Sequence, residues 1–362
     1  MTYQLGVDLG TTTVAAAVRR NGHAEMIALG DSASEMPTAL FRRYDGTFIV
    51  GEAAEDAARD EPSRGVRDFL RHLDDPMPIM VGGAPFTRSE LVTEILGHVR
   101  TRAIEQQGSP PADVVLTHPA TWAPHQVASL VASATDAGFV EPRTIDRLEA
   151  TARHHVAQQP TTGDGVFAVY FLGGATFEVG LYRRSDDTFV RLGQPQGIDH
   201  LGGVRFDQAV SSLATASLNG AMDTLDPADP ATAGFVAEFQ TRCMAAKERL
   251  SSAERTPIHV PLGDRSTVIS LERPEFEVLI RPLLSQTIDM VRRAAASAGL
   301  AVESLNSIVA AGGAASVPLV TRMLEDEFSR PVLTDSAPAQ VTALGAITEM
   351  GAALTPDPAM SA

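Results

Sequence analysis

Asp8-Leu9-Gly10-Thr11-Thr12-Thr13 joins a carboxylate to a glycine turn and three hydroxyls, a set of groups suited to holding phosphate. Glycine lets the backbone approach an anion closely, successive turn amides form a nest for phosphate oxygens, and threonine hydroxyls add donors. Asp8, ending an apolar run, can hold a hydrated magnesium ion, which takes few carboxylates and keeps several waters. An ordinary tight turn with a capping aspartate has the same spelling. A second segment, Leu172-Gly173-Gly174-Ala175-Thr176, can close over the same phosphates from elsewhere in the chain, and a glycine-rich strand connection is its plainer reading. Asp199-His200-Leu201-Gly202-Gly203 carries a further glycine pair able to present amides, although such pairs are common in loops. In Ile308-Val309-Ala310-Ala311-Gly312-Gly313-Ala314-Ala315-Ser316 a strand ends in two glycines before a helix. A base or ribose can lie against Gly312 and Gly313 near the unpaired amides of the helix start, and a plain strand-to-helix turn fits equally.

These turns need strands to hold them. Residues 3–18 read as two strands around Gly-Thr-Thr, and residues 166–182 repeat the device: Val166 to Phe171, a small-residue turn, then Phe177 to Tyr182. A hairpin pattern that recurs in this way predicts two related halves. Helices fill the intervals. Thr87-Arg88-Ser89-Glu90 has the form of a capping box, Leu91, Val92, Ile95, Leu96, Val99 and Ile104 follow at helical spacing, and Gly108 with Pro110-Pro111 stops the run. Further helical patterns cover about 124–138, 205–219, 233–253, 274–299 and 317–328, while 113–117 and 307–311 read as buried parallel strands. Such alternation predicts an α/β architecture, and 362 residues with 44% hydrophobic composition predict two lobes.

Lys and Arg total 29 against 45 Asp and Glu, a net charge of -16 that repels nucleic acids and anionic lipid surfaces. The one cysteine, Cys243, excludes an internal disulfide and a thiolate zinc site, reads as a packed helix residue, and suits a reducing cytoplasm. His154 and His155, adjacent on a helix, cannot face one ion together, and His200 reads as a loop-packing residue. No apolar run reaches about 18 residues, the usual minimum for a spanning helix. The first residues enter a strand pattern at once, so no signal peptide is expected, and 351–362, with Pro356 and Pro358, reads as a flexible tail or the start of a linker.

Three glycine-rich elements in the order phosphate, phosphate, adenosine resemble the ATPase domain of the seventy-kilodalton heat-shock (DnaK-type) chaperones, within the actin-like ATPase superfamily. The resemblance runs from about residue 3 to about 350. It includes Val114-Val115-Leu116-Thr117-His118-Pro119-Ala120, similar to the strand-and-proline segment between the family's lobes. His200-Leu201-Gly202-Gly203-Val204-Arg205-Phe206-Asp207 is similar to its H-L-G-G-x-x-F-D, and Ala246-Lys247-Glu248-Arg249-Leu250-Ser251-Ser252 to its A-K-x-x-L-S-S. The resemblance implies an α/β, two-lobed actin-like ATPase fold made of duplicated ribonuclease-H-like domains, with ATP or ADP and Mg2+ in a cleft whose lobes rotate as the nucleotide changes. Lobe I is expected over 1–165 with an insertion at about 38–110, and lobe II over 166–350 with an insertion at about 204–273. Asp8 matches the family's magnesium-proximal aspartate, Thr11 and Thr12 its phosphate-binding threonines, Glu149 the glutamate of its N-E-P-T-A segment, and Lys247 and Ser251 side chains flanking the adenosine.

The departures are as informative. Phe171 stands where the family has an aspartate that orders magnesium and the attacking water, and Ala175 replaces a third glycine. The family's catalytic lysine aligns with Arg67, which keeps the charge but not the compact ammonium. Ser316, Ala339, Met244 and Glu248 replace an arginine, an aspartate, a glutamate and an arginine around the adenosine. Losing a group that positions the nucleophile costs about 10²-fold or more in rate, so hydrolysis suffers more than binding. The expectation is a nucleotide-binding monomer with weak or absent hydrolysis, whose protein partner or C-terminal peptide-binding domain lies outside the chain. The other readings are an active ATPase, a small-molecule kinase, a filament-forming actin relative, and a pocket that binds no nucleotide.

Overall fold

A computed structural model describes residues 2–30, 33–158, 164–185, 188–224, 226, 230–262 and 265–348. The segment expected as a tail, 351–362, lies outside them. The chain opens with strands β1 (Gln4–Leu9), β2 (Thr13–Arg20), β3 (His23–Met26) and β4 (Glu35–Pro37). There follow β5 (Leu40–Arg42), β6 (Phe48–Val50), helix α1 (Glu52–Asp60), β7 (Gly65–Val66), β8 (Ile79–Val81), β9 (Ala84–Phe86) and α2 (Arg88–Gln107). The first half closes with β10 (Asp113–His118), α3 (Pro124–Asp136), β11 (Arg143–Asp146) and α4 (Arg147–Gln158). The second half runs β12 (Gly165–Leu172), β13 (Thr176–Ser185), β14 (Thr188–Asp199), α5 (Gly203–Ser217), α6 (Pro230–Arg249), β15 (Arg255–Leu262) and β16 (Arg265–Glu272). It ends with α7 (Arg273–Ser297), β17 (Leu305–Ala311), α8 (Pro318–Phe328), β18 (Val332–Thr334) and α9 (Val341–Ala346).

Two sheets carry the same design. In the first the order is β11-β10-β1-β2-β3, and in the second β18-β17-β12-β13-β14. Each has an antiparallel meander of three strands, and on its other side two strands join parallel to the meander's first. The repeated hairpin of the sequence is therefore a repeated sheet, which is the duplicated, two-lobed actin-like ATPase fold. Each central strand is apolar because both of its faces are covered: Leu5, Val7 and Leu9 of β1 are buried, as are Val169, Tyr170, Phe171 and Leu172 of β12.

The lobes are tied by an exchange of helices. Leu148, Ala152 and Val156 of α4, which follows the first sheet, pack with Phe167, Val169 and Phe171 of the second. Reciprocally, Ala343 of α9 and Ile347 just after it pack on Ala15 and Ala17 of β2. Where α4 and α9 cross, the backbones touch: a Cβ on Gly345 would stand 1.9 Å from the Ala150 carbonyl oxygen. The helix predicted behind Thr87 is α2. Its Glu90 amide donates to Thr87 Oγ1 (3.2 Å), the Thr87 amide donates to Glu90 Oε2 (2.7 Å), and Gly108 closes it at φ 75.

Candidate functional site

The turn between β1 and β2 and the turn between β12 and β13 are built alike. The Gly10 amide donates to the Thr13 carbonyl and the Gly173 amide to the Thr176 carbonyl, each at 3.0 Å. Thr38 pins the first turn from outside, its amide on the Thr12 carbonyl (2.9 Å) and its hydroxyl on the Gly10 carbonyl (2.7 Å). The two turns face each other. A Cβ on Gly174 would stand 2.0 Å from Thr12 Oγ1, so the lobes meet turn to turn, with space for a hydrogen and nothing more.

The other glycines gather on the second turn. The amide of Gly203 donates to the Gly173 carbonyl (3.1 Å) and that of Val204 to the Gly174 carbonyl (2.7 Å). Gly202, where a Cβ would stand 2.5 Å from the Gly173 carbonyl oxygen, lets the start of α5 press against the turn, and the Gly203 amide is already used there. A Cβ on Gly203 would meet Lys247 Nζ at 3.5 Å, Gly174 Cα at 3.6 Å and Ala314 Cβ at 3.7 Å, which brings four of the elements singled out in the sequence to one place. Lys247 is held there by Asp207, Nζ to Oδ1 at 2.8 Å. Gly312 adopts φ 88, and a Cβ on it would stand 2.4 Å from the Leu172 carbonyl oxygen. Gly313 is exposed, with open space where its side chain would be. Ser316 donates to the Gly313 carbonyl (2.7 Å), and Ser251 lies half-buried just past α6. Cys243 is fully buried on α6, where burial pushes its thiol up to about 11.

Beneath the turns stands a charged group whose members lie far apart in the sequence. Asp8 Oδ1 accepts from Thr117 Oγ1 and lies 3.8 Å from Arg147 Nε. Arg147 Nη1 lies 3.6 Å from Glu178 Oε2, and the guanidinium carbon stands 4.7 Å from the centre of the Phe171 ring. Arg147 is 3% exposed and Glu178 1%. Glu178 Oε1 accepts from the Thr121 amide and hydroxyl, both at 3.2 Å. Burial pushes the Glu178 carboxyl up to about 7 against the opposing pull of Arg147. Thr11, Arg71, Arg147, Thr176, Glu178 and Asp199 are among the residues lining a cavity of about 20 Å³ at this point, room for about one water.

Two candidates stand elsewhere. Arg67 pairs with Glu55 (3.0 Å) with its side chain 61% exposed, while Arg71, four residues on, lines the cavity together with Arg147. It contacts His200 across the lobes. Glu149 lies half-buried, bonded to Arg153 (2.7 Å), and borders a different, larger hollow with Asp146 and His118. Burial and the charge of Asp146 raise its carboxyl above the usual range. Arg147 and Glu178 were missed although both left a signal: Glu178 interrupts the apolar run Phe177-Glu178-Val179, and Arg147 directly precedes the segment read for Glu149.

A duplicated sheet with glycine turns closing on one point defines an actin-like ATPase domain. The family described as Hsp70 protein matches residues 73–360. The chain is similar to a chaperone protein HscA homolog of Bordetella petrii, 32% identical over 365 residues that cover 94% of this chain and 57% of that protein. Homologs of the same name in Pseudomonas putida and Azotobacter vinelandii are each 31% identical, covering 94% of this chain and 56% of those proteins. The chain belongs to the Hsp70 family, and it spans a little over half the length of these relatives.

Hsp70 proteins use ATP or ADP with Mg2+. The residues at Asp8 do not fit the ion. Asp8 and Glu178 already face the Arg147 guanidinium, and the position of Phe171 presents a ring face instead of oxygen. Among the described residues no group of three or more His, Cys, Asp or Glu side chains is placed to hold a metal. None of the described helices is long and apolar enough to cross a membrane.

Proposed function

We propose that this domain binds ADP or ATP between lobes 1–165 and 166–350 as a conformational switch and hydrolyses it weakly or not at all. The observation that carries the reading is the contact of Thr12 with Gly174, with an aromatic ring beneath it. Because Gly10 and Gly173 use their amides to close their own turns, the phosphate cradle falls to the amides and hydroxyls of Thr11, Thr12, Gly174, Ala175 and Thr176. On this reading the adenosine lies against Lys247 and the open face of Gly313, with Ser251 and Ser316 as its further contacts. The cavity holds about one water, so nucleotide entry needs the lobes to part.

Phe171 carries the second half of the proposal. Hydrolysis needs a group that orders the attacking water, and a phenyl ring can neither accept its proton nor hold a metal that does. Switching by bound nucleotide alone then remains, in a reducing compartment such as the cytoplasm, acting on a protein partner or a domain outside this sequence. Titration calorimetry with ADP and a non-hydrolysable ATP analogue, paired with phosphate release, tests both halves. Binding without turnover supports the reading, whereas multiple turnovers at rates ordinary for a chaperone ATPase refute it.

A further inference from the structure

The residues beneath the turns hold a positive charge where the family holds a metal. Arg147 stands between Asp8 and Glu178 and lies over the Phe171 ring, an arrangement of one guanidinium, two carboxylates and a π face. Its long stem is covered, so the charge cannot swing into solvent: the residue is 3% exposed. Two buried polar atoms of the group, Arg147 Nε and Glu178 Oε2, have no hydrogen-bond partner among the described residues. An unpartnered guanidinium N–H is a donor in need of an acceptor, and Thr11 and Thr176 of the two turns line the same cavity.

Resting on the nucleotide reading, we infer that Arg147 is a built-in counter-cation and that this site takes a nucleoside diphosphate without any divalent metal. Arginine suits the task because it stays charged at every accessible pH and presents its donors in a plane that matches phosphate oxygens. The inward ring of Phe171 serves the same end. An aspartate there would compete with the nucleotide for the guanidinium, while an aromatic face stabilises the cation and leaves its N–H groups to the ligand.

The test uses the 362-residue chain with ADP as the probe, titrated once in excess Mg2+ and once in EDTA. Affinities within about threefold of each other support the inference, and a loss of about tenfold or more in EDTA overturns it. Arg147→Met should lose affinity in both buffers, while Arg147→Lys, which keeps the charge, should retain metal-independent binding. The wild-type comparison stands whether or not either variant folds. A second arm omits nucleotide and follows Mn2+ by electron paramagnetic resonance. Any Mn2+ that the acidic surface binds should survive Asp8→Asn, and Mn2+ displaced by Asp8→Asn overturns the inference. Absence of ADP binding in both buffers refutes the nucleotide reading instead, and the Mn2+ arm still decides whether the site excludes a divalent ion.

Discussion

Alanine at position 174 is the sharpest probe of how the lobes meet. Its Cβ would stand 2.0 Å from Thr12 Oγ1 and 2.7 Å from both Thr12 Cβ and Cγ2, far inside the 3.0 Å that real Cβ contacts respect. Either Thr12 turns away or the turns part, and overpacking of this kind costs about 1–3 kcal/mol. With a urea slope of about 3 kcal/mol/M, at the upper end of the usual range, the midpoint of Gly174→Ala should fall by about 0.3–1 M. Thr12→Gly removes all three opposing atoms, so in a double-mutant cycle it should relieve the clash. The expected coupling is about 0.5–3 kcal/mol in favour of the double variant. Urea unfolding followed by far-UV circular dichroism measures all four proteins. Costs that add to within about 0.5 kcal/mol would mean that the two turns do not touch, and the convergence on which the nucleotide reading depends would be lost.

Three further outcomes follow from the same geometry. Gly345→Ala drives a Cβ to 1.9 Å from the backbone oxygen of Ala150, which no side-chain rotation relieves, so it should cost about 3 kcal/mol or more; an unchanged urea midpoint would disprove the α4–α9 contact. Gly313→Ala meets open space and should leave stability within about 0.5 kcal/mol. It should nonetheless weaken ADP binding by about 1 kcal/mol if the adenosine lies on that face, and an unaltered calorimetric affinity removes Gly313 from the site. Glu178, with its carboxyl raised from the ordinary 4.5 to about 7, binds its proton more tightly folded than unfolded. Its contribution to stability is therefore present below about pH 4.5 and lost as pH rises through about 7, a difference of about 3 kcal/mol. Urea titrations at both ends of that window should show a steeper decline for the wild type than for Glu178→Gln, and equal declines would place Glu178 in an environment that solvates its charge.

The fold was legible because its signals are local. Two apolar hairpins with small-residue turns, a capping box at Thr87 and strands bounded by glycine pairs each declare their structure within a few residues. The helix exchange was not legible. α9 is short and small-residued, Val-Thr-Ala-Leu-Gly-Ala, because it slides beneath β1 where Gly6 leaves 2.5 Å between a Cβ and the Ala343 carbonyl oxygen. Such a sequence carries no amphipathic period, since it is buried nearly all round. At the site, the glycine turns were legible as turns, because such a turn needs only its own residues. That Arg71 lines the cavity while Arg67 is exposed could not be read from spacing: which side chain of one irregular segment reaches the cleft depends on the backbone at Asp68, whose φ of 57 turns the chain. Arg147 and Glu178 become a pair only when α4 docks under the second sheet.

Phe171 and Arg147 make sense only as a pair. Two carboxylates on either side of one guanidinium, up to about 8 Å apart, repel each other by an amount on the order of 2 kcal/mol at an effective dielectric near 20, and such a pair persists in a buried place only beside a positive charge. In relatives that use Mg2+ the ion supplies it, and an aspartate at the position of Phe171 helps order that ion. With Arg147 already in place the same aspartate would bind the guanidinium directly, tying up the donors that a phosphate needs. The ring avoids that competition, lies 4.7 Å beneath the cation, and contributes about 0.5–2 kcal/mol to holding it. Once the metal's charge is supplied by a side chain, the carboxylate that served the metal has no remaining task in binding. On the proposed reading, loss of hydrolysis and gain of a metal-free nucleotide site are one change in charge arrangement seen from two sides.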